Sequence, residues 1–149
     1  MEAGGSTRSC SRANYSGKHR RHGVNLQVIT DPQSEIVCIS RALLGRTHDL
    51  TAARTHRIIA TCGRLGLPAG VDLAYLGAGG TFATPTRRPP CEEFTARQRS
   101  LNRVHTRLRY PVERGMATLK RCRIFRHARC RPNRLSSAAK AILTLQKQR

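Results

Sequence analysis

Apolar positions recur along this chain in two rhythms. Between residues 24 and 43 they form two dense, β-branched runs, VNLQVIT (24–30) and EIVCISRAL (35–43). Such residues suit a pleated, half-buried surface. The intervening Asp31-Pro32-Gln33-Ser34 suits a reversal, because Pro presets φ and an Asp side chain accepts bonds from the amides that follow it. The pattern predicts a β-hairpin. Beyond it, Leu50, Ala53, Arg54, Arg57, Ile58 and Cys62 follow at helical spacing. Thr47 or Asp49 is available as N-cap, and Gly63 or Gly66 as the stop. GVDLAY (70–75) reads as a short strand with Asp72 towards its end, Gly77, Gly79 and Gly80 as a loop, and TFATP (81–85) as one more strand closed by the RRPP break at 87–90. From Glu92 the rhythm is helical, through Phe94, Leu101, Val104 and Leu108 and then Val112, Met116 and Leu119. Glu92 and Glu93 stand at its start, where acids favour a helix N-terminus. Pro111 is expected to kink or divide this helix, since it lacks an amide and clashes with the preceding turn. A basic loop (Arg129 to Arg134) leads to a last stripe, Leu135, Ala138, Ala139, Ile142 and Leu145. Hairpin, helix, strand, strand, long helix and helix in that order belong to the α/β class.

Charge sharpens the picture. The 149 residues carry 28 Lys and Arg against 8 Asp and Glu, a formal charge of +20. The imbalance grows along the chain: residues 87–149 hold 18 basic and 3 acidic side chains, the preceding part 10 and 5. Such a surface calls for a polyanionic partner. Leu, Ile, Val and Phe make up only about a fifth of the chain, so one domain with a thin core is expected. The Ser/Gly/Arg-rich residues 1–14 read as a disordered leader, leaving 15–149 as the folded part. No run of about 20 apolar residues is present to span a membrane as a helix. The opening MEAGGSTRSCSR lacks the apolar stretch of a secretory signal. The six cysteines are widely spaced and read as reduced thiols. Cys122, His127 and Cys130 come nearest to a zinc spacing but lack paired ligands.

With eight acids, each can be weighed. Glu2 lies in the leader, Asp31 in the turn, Glu35 at a strand start, and Glu92 and Glu93 at a helix start. Asp49, Asp72 and Glu113 remain. A carboxylate at the end of a buried strand is costly unless paired or metal-bound, and strand ends of open α/β sheets are where active sites gather, which favours a functional Asp72 over a turn-forming one. Glu113 sits in a helix rich in arginine, four residues after Arg109 and seven before Lys120, where a surface ion pair with Arg109 is the simplest reading. Asp49 doubles as a helix cap or first-turn acid. Carboxylates from distant parts of a basic chain suit hard cations such as Mg²⁺, and a pair of such ions supports phosphodiester cleavage.

Four blocks carry a resemblance: YSGKHRRHGVNLQVITDP (15–32), LLGRTHDLTAAR (43–54), VDLAYLGAGG (71–80) and NRVHTRLRYPVERGMATLKRCRIFR (102–126). In order and spacing the chain resembles, from about Tyr15 to Arg149, the DDE transposases of bacterial insertion sequences, the branch related to Harbinger elements, also called DDE superfamily endonucleases. The resemblance implies a ribonuclease H-like mixed sheet flanked by helices. It also implies Mg²⁺- or Mn²⁺-dependent cutting and joining of DNA at transposon ends. Asp72, with Tyr75, matches the family's second Asp. Arg109, Glu113 and Lys120 match its Arg-x3-Glu-x6-Lys signature, so Glu113 matches the third acid. Thr106 stands where the family has Tyr. His48-Asp49 matches a His-Asp pair that has a supporting role. The family's first Asp, in a Leu-Asp-Gly-Thr strand, belongs before Tyr15 and has no match here. The resemblance therefore implies a C-terminal piece that lacks its first strand and cleaves poorly alone.

Two functions compete. One is a metal-dependent transposase-type nuclease; the other is a basic DNA-binding protein without catalysis. In both, Arg103, Arg107, Arg109, Arg114 and Lys120, with Lys18, Arg20 and Arg21, are the expected phosphate contacts. Both place the chain in the bacterial cytoplasm at the nucleoid, and both are compatible with a homo-oligomer. A ribosomal or RNA-binding role is disfavoured, since aromatics are only 4% of residues and no stacking motif is present.

Overall fold

The computed structural model describes residues 14–16, 21–126 and 132–148. The expected leader, apart from Asn14, lies outside them, as do Lys18, Arg20, His127, Cys130 and the first part of the basic loop. The fold is mixed α/β. Its described strands form four two-stranded pairs rather than one central mixed sheet.

β1 (Tyr15–Ser16) pairs antiparallel with β2 (Arg21–His22). The expected hairpin is present. β3 (Val24–Asn25) pairs with β6 (Leu43–Leu44), and β4 (Val28–Thr30) with β5 (Ile36–Ile39), both antiparallel. Between the two pairs, Gln27 and Ser40 keep the ladder closed: Ser40 N donates to Gln27 O at 2.9 Å, and Gln27 N donates to Ser40 Oγ at 2.9 Å. The Ser hydroxyl stands in for a carbonyl where the register slips, the mark of a bulge. At the turn Asp31 Oδ1 accepts from the amides of Gln33 and Glu35, both at 2.9 Å, as its type and position predict.

The single helix expected after the hairpin is two. α1 (Asp49–Thr55) and α2 (Ile58–Arg64) are separated at Arg57, whose φ is 54°. Neither Thr47 nor Asp49 caps α1. The cap is His48, whose Nδ1 accepts from Leu50 N at 3.3 Å, and Asp49 is the first helical residue. The stop at glycine holds. Gly66, at φ 64°, follows the last turn of α2, and Leu67 N and Gly66 N donate back to Cys62 O and Gly63 O. That pair of bonds is the Schellman closure, which needs a left-handed residue.

The predicted strand around Asp72 is shorter and lies elsewhere. β7 (Ala69–Gly70) ends before Asp72 and pairs in parallel with β8 (Phe82–Ala83), not with the hairpin. Residues Leu73–Tyr75 form a 3-10 turn. The glycine loop is confirmed, with Gly77, Gly79 and Gly80 all at positive φ.

The long helix α3 (Ala96–Arg121) begins later than Glu92 and Glu93, which are exposed ahead of it. Thr95 and Gln98 make a reciprocal capping box, satisfying two orphan amides. Helix runs through Pro111 without division. The missing Pro111 amide costs one backbone bond, to Arg107 O. The predicted apolar face holds only in the second half, where Val112, Met116 and Leu119 turn inward. There Gly115 lies so close to the hairpin that a Cβ would come within 2.7 Å of Thr30 Cγ2. In the first half Leu101, Val104 and Leu108 are more than half exposed. The inward residues are polar and tie the helix to the segment after β7: His105 Nε2 bonds Ala83 O at 2.9 Å, and Asn102 bonds both the amide and the carbonyl of Thr86.

α4 (Arg123–Arg126) is a single turn, and α5 (Pro132–Lys147) packs on β5. Leu135 and Ala139 of the predicted stripe are buried, whereas Leu145 is exposed. Helix begins at Pro132, inside the expected basic loop. Among the described residues the fully buried large side chains are Leu119 and Leu135, so the core is as thin as the composition implies.

Candidate active site

Four elements meet around Tyr75: strand β3 with its continuation to Gln27, the start of α1, the 3-10 turn, and the middle of α3. Tyr75 OH donates to Gln27 Oε1. Gln27 Nε2 donates to Asn25 Oδ1 at 2.7 Å. Asn25 Nδ2 donates to Asp49 Oδ1 at 2.6 Å and to Thr47 O at 3.0 Å. A carboxylate and a carbonyl only accept, so Asn25 must turn its amide nitrogen to them. Its oxygen then faces Gln27, and the Gln27 oxygen faces Tyr75, which must donate. The chain of bonds has one direction throughout. Gln27 is 5% exposed, and the bonds satisfy a side chain that would otherwise be costly to bury.

Sequence reading singled out Asp49 and Tyr75 but missed Asn25 and Gln27. Their signal was available: two amides at i and i+2 inside an apolar hairpin strand share one face.

Asp72 is not buried at a strand end. Its side chain is 41% exposed and its Oδ1 accepts from Ala74 N at 2.9 Å, capping the 3-10 turn. The turn-forming role is therefore real. Asp72 also has a partner: its Oδ2 lies 3.7 Å from Arg109 Nη2. Arg109 thus pairs with Asp72 and not, as expected, with Glu113. Glu113 is exposed one turn further along α3, about 6 Å in rise.

Asp49 and Asp72 both act on Tyr75. Its hydroxyl is pushed up to about 12, first by burial and then by these two carboxylates, while the Arg109 charge pulls the other way. Tyr75 is consequently a fixed, protonated donor across the physiological range.

The basic residues divide by helical position. Arg103, Arg107 and Arg114 are exposed and lie roughly 120–160° around the helix from Arg109 at 100° per residue. They form a stripe away from Asp72. Lys120 is exposed on the Arg109 and Glu113 side. Arg21 lies in β2.

The donor set suits a hard divalent ion in kind, because carboxylate oxygens are what Mg²⁺ and Mn²⁺ take. In number it is short: among the described residues no three His, Cys, Asp or Glu side chains gather.

Residues 6–146 match the family model of the DDE superfamily endonuclease. The chain belongs to that family. DDE superfamily endonucleases are transposase-like nucleases that act on DNA and generally use divalent metals. No curated protein and no solved structure matches the chain. Among the described residues of this endonuclease-family chain, no helix is long and apolar enough to cross a membrane.

Proposed function

We propose that the chain is a ribonuclease H-like catalytic region of a transposase from the Harbinger-related branch, acting on transposon-end DNA. Asp72 and Glu113 supply carboxylates for Mg²⁺ or Mn²⁺. The observation that carries this reading is the Arg109–Asp72 pair, which ties α3 to the Asp72 turn one helical turn from Glu113. When bound, the ions supply a nucleophile from water and neutralise charge on the leaving oxygen. The protein's own contribution is positional. The 3-10 cap fixes the Asp72 carboxylate, and the Tyr75–Gln27–Asn25 chain fixes the Asp49 carboxylate at its far end. Arg109, partly exposed beside Asp72, is placed to meet a phosphate. DNA as partner places the chain at the bacterial nucleoid.

Two carboxylates hold Mg²⁺ weakly, since the ion dehydrates reluctantly and depends on well-placed charge. The second reading, a DNA-binding protein without catalysis, is favoured by the lack of a three-ligand cluster among the described residues. A nicking assay on transposon-end DNA, with and without Mg²⁺ or Mn²⁺, separates the two readings. The 149-residue chain should nick little. A chain extended before Tyr15 by a strand carrying Leu-Asp-Gly-Thr should nick with metal, and Asp72→Ala or Glu113→Ala should abolish that. Failure of the extended chain to nick supports DNA binding alone. Strong metal-dependent nicking by the unextended chain shows that Asp49 completes the site.

A further inference from the structure

Away from the carboxylates, α5 and the segment joining β5 to β6 border an open surface cleft of about 280 Å³, lined by Arg41, Asn133, Ser136, Ser137 and Lys140. Its two walls are held together. Leu135 and Ala139 bury the helix against β5, and Ala42 N donates to Ser136 Oγ at 2.9 Å, which donates in turn to Pro132 O. Ser137 Oγ also spends its hydrogen, on Asn133 O. The groups left to donate into the cleft are the Arg41 guanidinium, the Lys140 ammonium and the Asn133 amide. No carboxylate lines it, and none among the described residues pairs with Arg41 or Lys140.

We propose that this cleft is a second DNA contact, taking the phosphodiester backbone of a duplex whose other contacts lie along α3. The inference rests on the DNA-binding reading above. Charge complementarity selects the occupant: two cations and no carboxylate line the cleft, on a chain of charge +20. A guanidinium fork fits paired phosphate oxygens. The backbone walls are joined before any ligand arrives, so the ordering that binding requires is confined to the exposed Arg41 and Lys140 side chains. Sequence reading left Arg41 and Lys140 out of the expected contacts because they lie 99 positions apart in a chain with many other cations.

The test is the salt dependence of duplex binding by the full chain and by Arg41→Gln/Lys140→Gln, with Arg64→Gln/Arg97→Gln as an equal-charge control. Unchanged circular dichroism shows that each variant folds. Each lost phosphate contact lowers the log–log salt slope by about 0.9. The cleft variant should lose about 1.8 from the slope, so its fall in affinity between 50 and 200 mM salt should be roughly tenfold smaller than that of the unmodified chain. The control should keep most of its slope. Equal slopes for the cleft variant and the control overturn the proposal while leaving the DNA reading intact. No salt-dependent binding by the unmodified chain overturns both. Inorganic phosphate at matched ionic strength provides the last arm. It should displace duplex more readily from the unmodified chain than from the cleft variant; equal displacement from both overturns the proposal.

Discussion

Replacing Tyr75 with Phe removes one oxygen and leaves the ring against Phe82, with centroids 6.4 Å apart. The lost hydroxyl is the sole donor to Gln27 Oε1 among the described residues, and Gln27 is buried. Losing that bond and leaving an unsatisfied acceptor costs about 1–3 kcal/mol at neutral pH. The alkaline behaviour is more diagnostic. In the folded chain Tyr75 is raised from 10.0 to about 12. The folded state therefore holds its proton where the unfolded state releases it. Stability from this source is complete below pH 10 and is lost as pH rises towards 12. At 1.36 kcal/mol per unit the ceiling is about 2.7 kcal/mol. Tyr75 is partly exposed, and screening brings this to roughly 1–2 kcal/mol. Urea unfolding across this range should show the two proteins converging as pH rises. The difference in absorbance near 295 nm between the chain and Tyr75→Phe isolates the Tyr75 titration. A gap in stability that stays constant from pH 9 to 12, or a Tyr75 titration centred on 10, would refute the burial of the Tyr75 hydroxyl near Asp49 and Asp72.

Other substitutions probe different links. Gly115→Ala should destabilise by about 1–2 kcal/mol, because overpacking against Thr30 exceeds the gain in helix propensity. Gly63→Ala, with nothing within 4 Å of its added carbon, should stabilise by about 0.5–1 kcal/mol; urea midpoints give both signs. Arg109→Gln should change stability by less than about 1 kcal/mol, since both partners are partly exposed, yet weaken duplex binding measured at the same pH. If about six phosphates are engaged, affinity for DNA should fall roughly a thousandfold between 50 and 200 mM salt in a fluorescence titration. Binding indifferent to salt sinks the polyanion reading.

The hairpin, its Asp31 turn, the glycine stop of α2 and the buried face of α5 were legible in the sequence, because each depends on residues close in the chain. A β-branched run, an Asx side chain, a glycine at positive φ and a helical stripe act locally. The blocks around Asp72 and Glu113 likewise carried the family assignment from sequence. Tertiary structure alone decided which face of α3 is buried. Hydropathy favoured Leu101, Val104 and Leu108, but the first half of the helix lies beyond the hairpin, and Asn102 and His105 find backbone partners at Thr86 and Ala83. Once satisfied, a polar side chain can occupy an inward position that periodicity assigns to an apolar one. The partner of Arg109 was decided the same way. Glu113 is near in sequence, but Asp72 is brought into reach by the turn after β7. Asn25 and Gln27 were visible as an unusual pair of amides in an apolar strand. Their purpose existed only once folding set Asp49 at one end of them and Tyr75 at the other, 26 residues apart in the chain.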